Sequence, residues 1–264
     1  FLLQLNKVKS ADTVCFTYPN FGNAVSDLIL QGAATPDKGT VKLTATDSNG
    51  IPRTNSVGRV LFSSPIHLWE KSTGKEASFS TSFSFITKPS PKGGTIADGL
   101  TFFIAPPGTT IPSKIEGEYL GVLEPSTGND PSKNQIVFCE FDLYKNGIDP
   151  SYTPHLGINV NQIKSEVTAP WNTTNVPTGS TAFVRITYDA PSKKLSVTLS
   201  YPDVSNSFRS TLSHTVSLKD KLPEWVSVGI SGCSGLQVSL NNLLSWSFSS
   251  ELKKVGTSFA ITDM

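Results

Sequence analysis

Charged side chains are scarce in this sequence, and their signs nearly cancel. Asp, Glu, Lys and Arg make up 16% of the 264 residues, with a formal net charge of +1, against about 25% charged residues in an average soluble domain. This balance provides neither the basic surface typical of nucleic-acid binding nor an acidic tail. No apolar run reaches the length of about 18 residues that a membrane-spanning helix requires. The sequence therefore predicts no nucleic-acid partner and no membrane span.

Cysteine is also scarce, and the motifs of several enzyme classes are missing. Cys15, Cys139 and Cys233 are odd in number and far apart, with no C-x-x-C pair to indicate zinc or redox chemistry. We expect all three to be small core or loop residues. No Gly-x-Ser-x-Gly elbow occurs, and His67 and His214 lack the sequence context of a nucleophile–base pair. We expect both histidines to be structural.

Short apolar or alternating segments, separated by turn residues, run through the chain. In Ser78–Ile86, Phe79, Phe83 and Phe85 share one parity and serines fill the other, which predicts a strand with one buried face. The turn Asp189-Ala-Pro-Ser-Lys predicts a hairpin. Further predicted strands are Val14–Tyr18, Ser26–Leu30, Val41–Thr44, Gly58–Phe62, Leu100–Ala105, Ala182–Tyr188, Leu195–Tyr201, Trp225–Ile230 and Leu244–Phe248, with one from Ile136 onward and a single helical turn at Leu218–Leu222.

Ten or more strands at this spacing, without a convincing amphipathic helix, predict an all-β antiparallel sandwich or jelly roll. No linker or internal repeat is visible, so we expect a single domain over residues 11–252.

Residues 1–10 fit the end of a signal peptide, with Val8 and Ser10 placed before a cleavage site; a frayed arm is the alternative. Residues 253–264 are expected to be a C-terminal tail, trimmed or docked. Asn172-Thr-Thr is an acceptor sequence for N-glycosylation, which is consistent with secretion.

One segment concentrates metal-binding side chains. In the strand that starts at Ile136, Glu140, Asp142 and Tyr144 would project from one exposed face. The predicted loop after it carries further polar groups and is broken by glycine and proline: Asn146, Gly147, Asp149, Pro150, Pro154 and His155. Carboxylate and carbonyl oxygens suit calcium, while carboxylates with one imidazole suit manganese or another transition ion. Because neighbouring carboxylates repel each other, a metal site is favoured over an ordinary solvated strand end.

The metal segment runs from Glu140-Phe-Asp through Asp149-Pro to His155-Leu-Gly-Ile-Asn-Val-Asn. Around it lie further blocks: Pro65-Ile-His-Leu-Trp, Ala97-Asp-Gly-Leu, Tyr119-Leu-Gly, Leu222-Pro-Glu and Leu244-Ser-Trp-Ser-Phe. In this order, the blocks resemble those of the legume lectin family of concanavalin A-like proteins, and the metal segment is similar to that family's signature. The resemblance implies a carbohydrate-binding β-sandwich protein without catalysis.

The resemblance also implies a calcium site beside a site for manganese or another transition ion. The transition ion would be held by Glu140, Asp142, Asp149 and His155, with Ser165 reaching it through water. Calcium would be held by Asp142, Asn146, Asp149 and the backbone carbonyl of Tyr144. The two shared carboxylates would bridge the cations, and the imidazole would supply a softer nitrogen to one of them.

A monosaccharide site on four loops is implied as well. Asp98 would accept hydrogen bonds from two sugar hydroxyls, and the Ala97–Asp98 peptide is expected to be cis, as in the family. Tyr144 would lay its ring on the apolar face of the sugar, and Asn146 would contact both calcium and sugar. The remaining implied residues are Gly99 and, through backbone N–H groups, Glu118, Leu236 and Gln237.

This sequence departs from the family pattern at a few positions. Glu118 stands where many members have Gly, which places a second carboxylate near Asp98. Cys139 and Leu143 replace more usual residues, and we expect neither to abolish metal binding. The fourth loop, Ser234–Leu244, is short and resembles the glucose- and mannose-binding members more than the galactose-binding ones.

Two alternatives stand beside a functional lectin. A jelly-roll glycoside hydrolase would carry Glu-x-Asp-x-Glu on one strand, but Tyr144 occupies the third position, so no enzyme is expected. The second alternative is a storage or defence protein related to lectins, with sugar binding altered or lost; Glu118 is the reason to consider it.

The favoured function is a lectin that binds glycans of glycoproteins or polysaccharides and assembles as a homodimer or homotetramer through its flat back sheet. We expect it in the secretory pathway, in a vacuole or protein body, or outside the cell.

Overall fold

The computed structural model describes residues 13–22, 25–114, 117–207 and 209–252. These residues form the strands β1 Thr13–Tyr18, β2 Leu28–Gly32, β3 Thr35–Asp37, β4 Thr40–Lys42, β5 Ser56–Phe62, β6 Ile66–His67, β7 Ser78–Pro89, β8 Gly99–Ala105, β9 Val137–Asp142, β10 His155–Val160, β11 Val167–Pro170, β12 Ala182–Asp189, β13 Lys194–Ser200, β14 Ser210–Thr215, β15 Trp225–Ser234 and β16 Ser239–Glu251. Short 3-10 turns are found at Val25–Asp27, Gly117–Tyr119 and Leu218–Asp220. None of the helices in these ranges is long and apolar enough to cross a membrane.

The strands form two antiparallel sheets that pack face to face. In sheet I the order is β14-β13-β12-β7-β16-β4-β3, with β1 also paired to β16. In sheet II the order is β11-β10-β9-β8-β15-β5-β2, with β6 also paired to β15. The predicted all-β antiparallel sandwich in a single domain is confirmed.

The main core lies between the two sheets. Strand β7 contributes Phe79, Phe83 and Phe85, which are all buried, while the serines of the opposite parity are partly exposed. The rings of Phe83 and Phe85 contact Phe141 of β9, with centroid distances of 5.7 and 6.1 Å. Burial of one such side chain contributes about 1.5–3 kcal/mol, so contacts of this kind hold the sheets together.

Sheet II is covered on its outer side as well. Strands β5, β8, β9 and β10 are buried along their whole length. The cover comes from the long segment between β8 and β9, whose Tyr119, Leu120 and Leu123 pack with Phe103 and Phe138 of the sheet in a second core. This segment therefore connects the outer face of sheet II with the loops at one end of that sheet.

Most predicted strands are present with shifted ends, and the hairpin between β12 and β13 closes at the pair Asp189–Lys194. Three details are wrong. Strand β9 ends at Asp142, so Tyr144 lies beyond it, and His155 begins β10 instead of belonging to a loop. Cys15 is exposed in β1, although Cys139 and Cys233 are buried as predicted and all three are free. The expectations for residues 1–10 and 253–264 lie outside the described residues.

Candidate functional site

Strand register brings several chain segments to one end of sheet II. Gly99, the first residue of β8, pairs with Asp142, the last residue of β9. Asp142 also pairs with His155, the first residue of β10. On the other side of β8, Gly99 pairs with Cys233, near the end of β15. Residues far apart in sequence therefore meet at this end, among them the predicted metal ligands and sugar-binding residues.

A cluster of carboxylate and imidazole side chains lies just inside this end. Glu140 and Asp142 are each 4% exposed, and His155 is 1% exposed. Nε2 of His155 lies 3.1 Å from Oε1 of Glu140, which also accepts a hydrogen bond from the hydroxyl of Ser165. Ligand atoms of Asp142, Asp149 and His155 all lie within 4.8 Å of one another. Five of the predicted metal ligands therefore come together in one cluster.

Burial makes this cluster electrostatically unfavourable on its own. The expectation of an exposed carboxylate pair is wrong, because Glu140 and Asp142 are both buried and Glu140 accepts a hydrogen bond from the Ser165 hydroxyl. Burial, helped by the negative charges of Glu140 and Asp149, raises the pKa of Asp142 to about 9. A bound cation would stabilise the ionised form. Carboxylate oxygens with one imidazole nitrogen are a donor set for divalent metal ions, so the residues present fit the predicted ions.

The loop after β9 folds back around the cluster. The N–H of Tyr144 donates to Oδ1 of Asp142 at 2.7 Å, and the N–H of Asn146 donates to Oδ2 of Asp149 at 2.5 Å. With their backbones held in this way, the side chains of Tyr144 and Asn146 line an open cleft beside the cluster. The calcium contacts expected of the Tyr144 carbonyl and of Asn146 stay predictions.

The cleft has a volume of about 420 Å³ and is lined by Asn55, Asp98, Gly117, Glu118, Tyr144, Asn146, Gly235, Leu236 and Gln237. Asp98 is only 5% exposed and accepts a hydrogen bond from the backbone N–H of Gly235. The peptide bond between Ala97 and Asp98 is cis, as predicted. Burial raises the pKa of Asp98 to about 6, the Gly235 hydrogen bond opposes this shift, and the charge of Glu118 adds to it.

The rim of the cleft contains both glycines and large side chains. Gly117 approaches Asp98 so closely that a Cβ atom would overlap the carboxylate. Leu236 is 82% exposed, and Glu118 is partly buried. Gly99, which the sequence placed in the sugar site, is absent from the residues that line the cleft; it is buried in β8, where a Cβ atom would overlap the carbonyl of Phe141.

Sequence reasoning missed three residues of the cleft. Asn55 precedes β5, and its N–H donates to the carbonyl of Gly235 at 2.9 Å. This contact depends on the register of β5 with β15, where Ser56 pairs with Ser234, so no local pattern could reveal it. Gly117 and Gly235 lie beside residues that were predicted, and their role follows from close approach to Asp98, which a sequence does not display.

The predicted glycosylation residue, Asn172, lies in the segment between β11 and β12. Its side chain is partly buried, and Oδ1 accepts a hydrogen bond from the N–H of Thr174 at 2.9 Å. Its modification stays a prediction.

Comparison with known proteins identifies the family to which this chain belongs. The family model for the legume lectin domain matches residues 13–259. The chain belongs to the legume lectin family. Agglutinin-2 of Cladrastis kentukea is 46% identical over 257 residues, 96% of this chain and 86% of the agglutinin. The alpha-methyl-mannoside-specific lectin of Arachis hypogaea is 45% identical over 259 residues, 96% of this chain and 89% of that lectin. The metal-free form of lectin I-B4 from Griffonia simplicifolia superimposes with a TM-score of 0.83 at 44% identity, covering 90% of this chain and 100% of that one.

Legume lectins are carbohydrate-binding proteins and not enzymes, so this legume lectin has a binding function without catalysis. The resemblance drawn from the sequence is confirmed, and the glycoside hydrolase alternative is excluded. The third position of a hydrolase pattern is Tyr144 in this legume lectin, and Tyr144 lies beyond the end of β9.

Proposed function

We propose that this legume lectin binds monosaccharide termini of glycans in the cleft around Asp98, and that binding depends on calcium and on manganese or another transition ion. The observation that carries the proposal is the hydrogen bond from the Gly235 N–H to Asp98, which fixes a buried carboxylate at the base of an open cleft. A carboxylate accepts strong, short hydrogen bonds from hydroxyl groups. Tyr144 and Asn146 on the neighbouring loop supply an aromatic face and an amide to the same cleft.

Glu140, Asp142, Asp149 and His155 would hold the transition ion, and Ser165 would contact it through a water molecule. Calcium is assigned to Asp142, Asn146, Asp149 and the carbonyl of Tyr144. Bound ions supply positive charge that keeps the buried carboxylates ionised. Because Asp142 and Asp149 already accept hydrogen bonds from the N–H groups of Tyr144 and Asn146, stabilising these carboxylates also stabilises the loop that presents the sugar-binding side chains.

Sugar recognition combines side chains and backbone. Asp98 accepts from two sugar hydroxyls, the ring of Tyr144 packs on the apolar sugar face, and the amide of Asn146 donates to the sugar. Backbone N–H groups of Glu118, Leu236 and Gln237 complete the contacts. The exposed Leu236 side chain adds apolar surface at the rim.

Glucose or mannose is the proposed sugar. Support comes from the short fourth loop, in which Gly235 and the exposed Leu236 and Gln237 reach the cleft directly from the end of β15. The relative from Arachis hypogaea, 45% identical, is named for specificity towards alpha-methyl-mannoside.

A second candidate function is a storage or defence protein related to lectins, in which sugar binding is altered or lost. Glu118 is the observation that favours it. This side chain lines the cleft, and its negative charge adds to the raised pKa of Asp98. A protonated Asp98 would be a poorer acceptor for sugar hydroxyls.

Assembly and location follow as further parts of the proposal. We propose a homodimer or homotetramer formed through the outer face of sheet I, where Phe183 is 39% exposed and pairs with Ser84 of β7 and Ser200 of β13. Several weak sites on one assembly raise avidity for glycan arrays. Sedimentation velocity tests the assembly.

Secretory passage to a vacuole, protein body or the cell exterior is supported by the acceptor sequence at Asn172.

The decisive experiment is a glycan array probed with purified protein in calcium and manganese, and again after chelation. Binding to mannose or glucose termini that disappears on chelation and returns with metal supports the full proposal. Metal-dependent binding to galactosides keeps the lectin and overturns the sugar assignment. Absence of binding by protein with both metals shown to be present overturns the lectin function and favours the second candidate.

A further inference from the structure

A buried arginine contacts the back of the sugar-binding region. Arg59 of β5 is 1% exposed, and among the described residues no carboxylate pairs with it. Its Nε and Nη2 donate to the carbonyl of Gly121 at 2.8 and 2.6 Å, and its Nη1 donates to the carbonyl of Thr110 at 2.9 Å. The guanidinium carbon lies 5.0 Å from the ring centroid of Phe103. Backbone carbonyls and an aromatic face therefore replace the usual counter-ion.

A second side chain holds the residue next to Gly121. The hydroxyl of Ser231, in β15, donates to the carbonyl of Leu120 at 2.9 Å and shares a 2.7 Å hydrogen bond with the hydroxyl of Thr101 in β8. Leu120 and Gly121 both have positive φ, 50° and 68°. Two consecutive carbonyls in an uncommon backbone conformation are thus fixed to strands β5 and β15 of sheet II.

These carbonyls belong to the segment that forms one wall of the cleft. The N–H of Leu120 donates to the carbonyl of Gly117 at 3.0 Å, which closes the 3-10 turn Gly117–Tyr119. Gly117 packs directly on Asp98. The turn is therefore held at one end by Asp98 and at the other by Arg59 and Ser231.

The stability of the fold alone does not explain why an arginine occupies this buried position. Removing a charged group from water is costly, and an apolar side chain of similar volume would fill the space without needing partners. A rigid planar donor group does what an apolar side chain cannot, since it fixes two carbonyls in direction as well as in distance.

We propose that Arg59 and Ser231 are positioning residues that set the place of the Gly117–Glu118 backbone for sugar binding. The inference rests on the proposed function, because it assigns the backbone at Glu118 to the sugar. Neither residue touches the cleft. Their effect reaches the sugar through the carbonyls of Leu120 and Gly121 and the turn that precedes them.

The test compares R59M, R59K and S231A with the unchanged protein, and R209M serves as a matched control because Arg209 is exposed and lies just before β14, outside the strand face that carries Phe183. Each protein is loaded with calcium and manganese, and metal content is measured. Affinity for methyl α-mannoside, or for methyl α-galactoside if the array selects galactosides, is measured by calorimetry well below the unfolding temperature. Amide hydrogen exchange is followed at Leu120 and Val122, whose N–H groups bond within the turn region.

We expect R59M and S231A to weaken sugar binding by about tenfold, the equivalent of one ordinary hydrogen bond, with metal content retained. R59K, which keeps the charge and some donors, should have an affinity between those of R59M and the unchanged protein, and R209M should bind normally. Exchange at Leu120 and Val122 should accelerate while amides of β12 and β13 stay protected.

A purely structural role predicts another result: lower unfolding temperatures with unchanged affinity in the folded protein. That result in R59M and S231A would overturn the proposal. If R59M does not fold, S231A decides, since it removes one hydroxyl. If the unchanged protein binds no glycan, the proposed function has failed, and unchanged exchange at Leu120 and Val122 in the variants would show separately that the positioning contact has failed too.

Discussion

The carboxylate of Asp98 accepts a hydrogen bond from the backbone N–H of Gly235, 137 residues further along the chain. This single contact joins the segment before β8 to the segment after β15. It exists because β8 and β15 are paired with Gly99 opposite Cys233, so that both segments leave the sheet at the same end. Strand register therefore sets the position of Asp98 relative to Gly235 in the cleft.

Replacing Asp98 by Asn should abolish most sugar binding while the fold is retained. The amide keeps the size of the side chain but loses the negative charge that strengthens hydrogen bonds from hydroxyl groups, and we expect affinity to fall by at least about tenfold. Calorimetry with metal-loaded protein measures the change. D130N is the control, because Asp130 is an exposed loop residue whose side chain bonds to Ser132. Equal affinity of D98N and the unchanged protein would contradict the assigned role.

Sugar affinity should fall as the pH is lowered, and Glu118 should influence where it falls. Asp98 accepts hydrogen bonds best when ionised, and its pKa is raised to about 6, so acidification through that range removes the better acceptor. The substitution E118Q removes a nearby negative charge, which lowers the pKa of Asp98 and moves the loss of binding to lower pH. Calorimetry over a pH series, with bound metal measured at every point, checks this. A midpoint unchanged in E118Q would show that Glu118 has no influence on Asp98.

Chelated protein should become less stable as the pH rises. Because burial raises the pKa of Asp142 from 3.8 to about 9, the folded state retains a proton between these values that the unfolded state has released. Stability then falls with increasing pH, by at most about 1.4 kcal/mol per pH unit for one proton. Metal-loaded protein should show the opposite trend, since protons compete with the ions for the same carboxylates.

Thermal unfolding at pH 5 and at pH 7.5, in chelator and in calcium with manganese, measures both trends. D142N is the informative variant, because the amide cannot titrate and the slope in chelator should flatten. A chelated protein that gains stability between pH 5 and pH 7.5 would contradict the prediction.

The sequence predicted the sandwich well because its signals are local. Phe79, Phe83 and Phe85 alternate with serine, and one buried face follows directly from a period of two. The signal failed at His155, where Pro150 and Pro154 favour a loop but β10 begins immediately after the second proline. Pairing with Asp142 on β9 decides that strand, and pairing is not visible in a local pattern.

The residues of the candidate site also fall into two groups: those that a local pattern predicts and those whose role depends on distant segments. Glu140, Asp142, Asp149 and His155 were found because one short segment concentrates carboxylates and an imidazole, and the family resemblance then implied which ion each would hold. Arg59 was read as part of an apolar strand, and its burial with bonds to Gly121 depends on the segment that covers sheet II. Asn55 shares this dependence. Contacts made by backbone atoms across distant segments leave no residue-type signal that a sequence could display.

A single methyl group at Gly117 should be enough to disrupt the cleft. A Cβ atom at this position would overlap the Asp98 carboxylate, so G117A must displace either the turn or the acceptor. We expect sugar affinity to fall by about tenfold or more, the equivalent of one lost hydrogen bond, while metal content and the unfolding transition change little because the cleft is at the surface. G147A is the matched control: it carries the same change in a neighbouring loop, where a Cβ atom would meet nothing within 4 Å. Calorimetry on both metal-loaded variants gives the comparison. If G117A binds sugar as well as G147A does, the Gly117–Asp98 approach does not shape the site, and the sugar must be bound away from the wall that Gly117 forms.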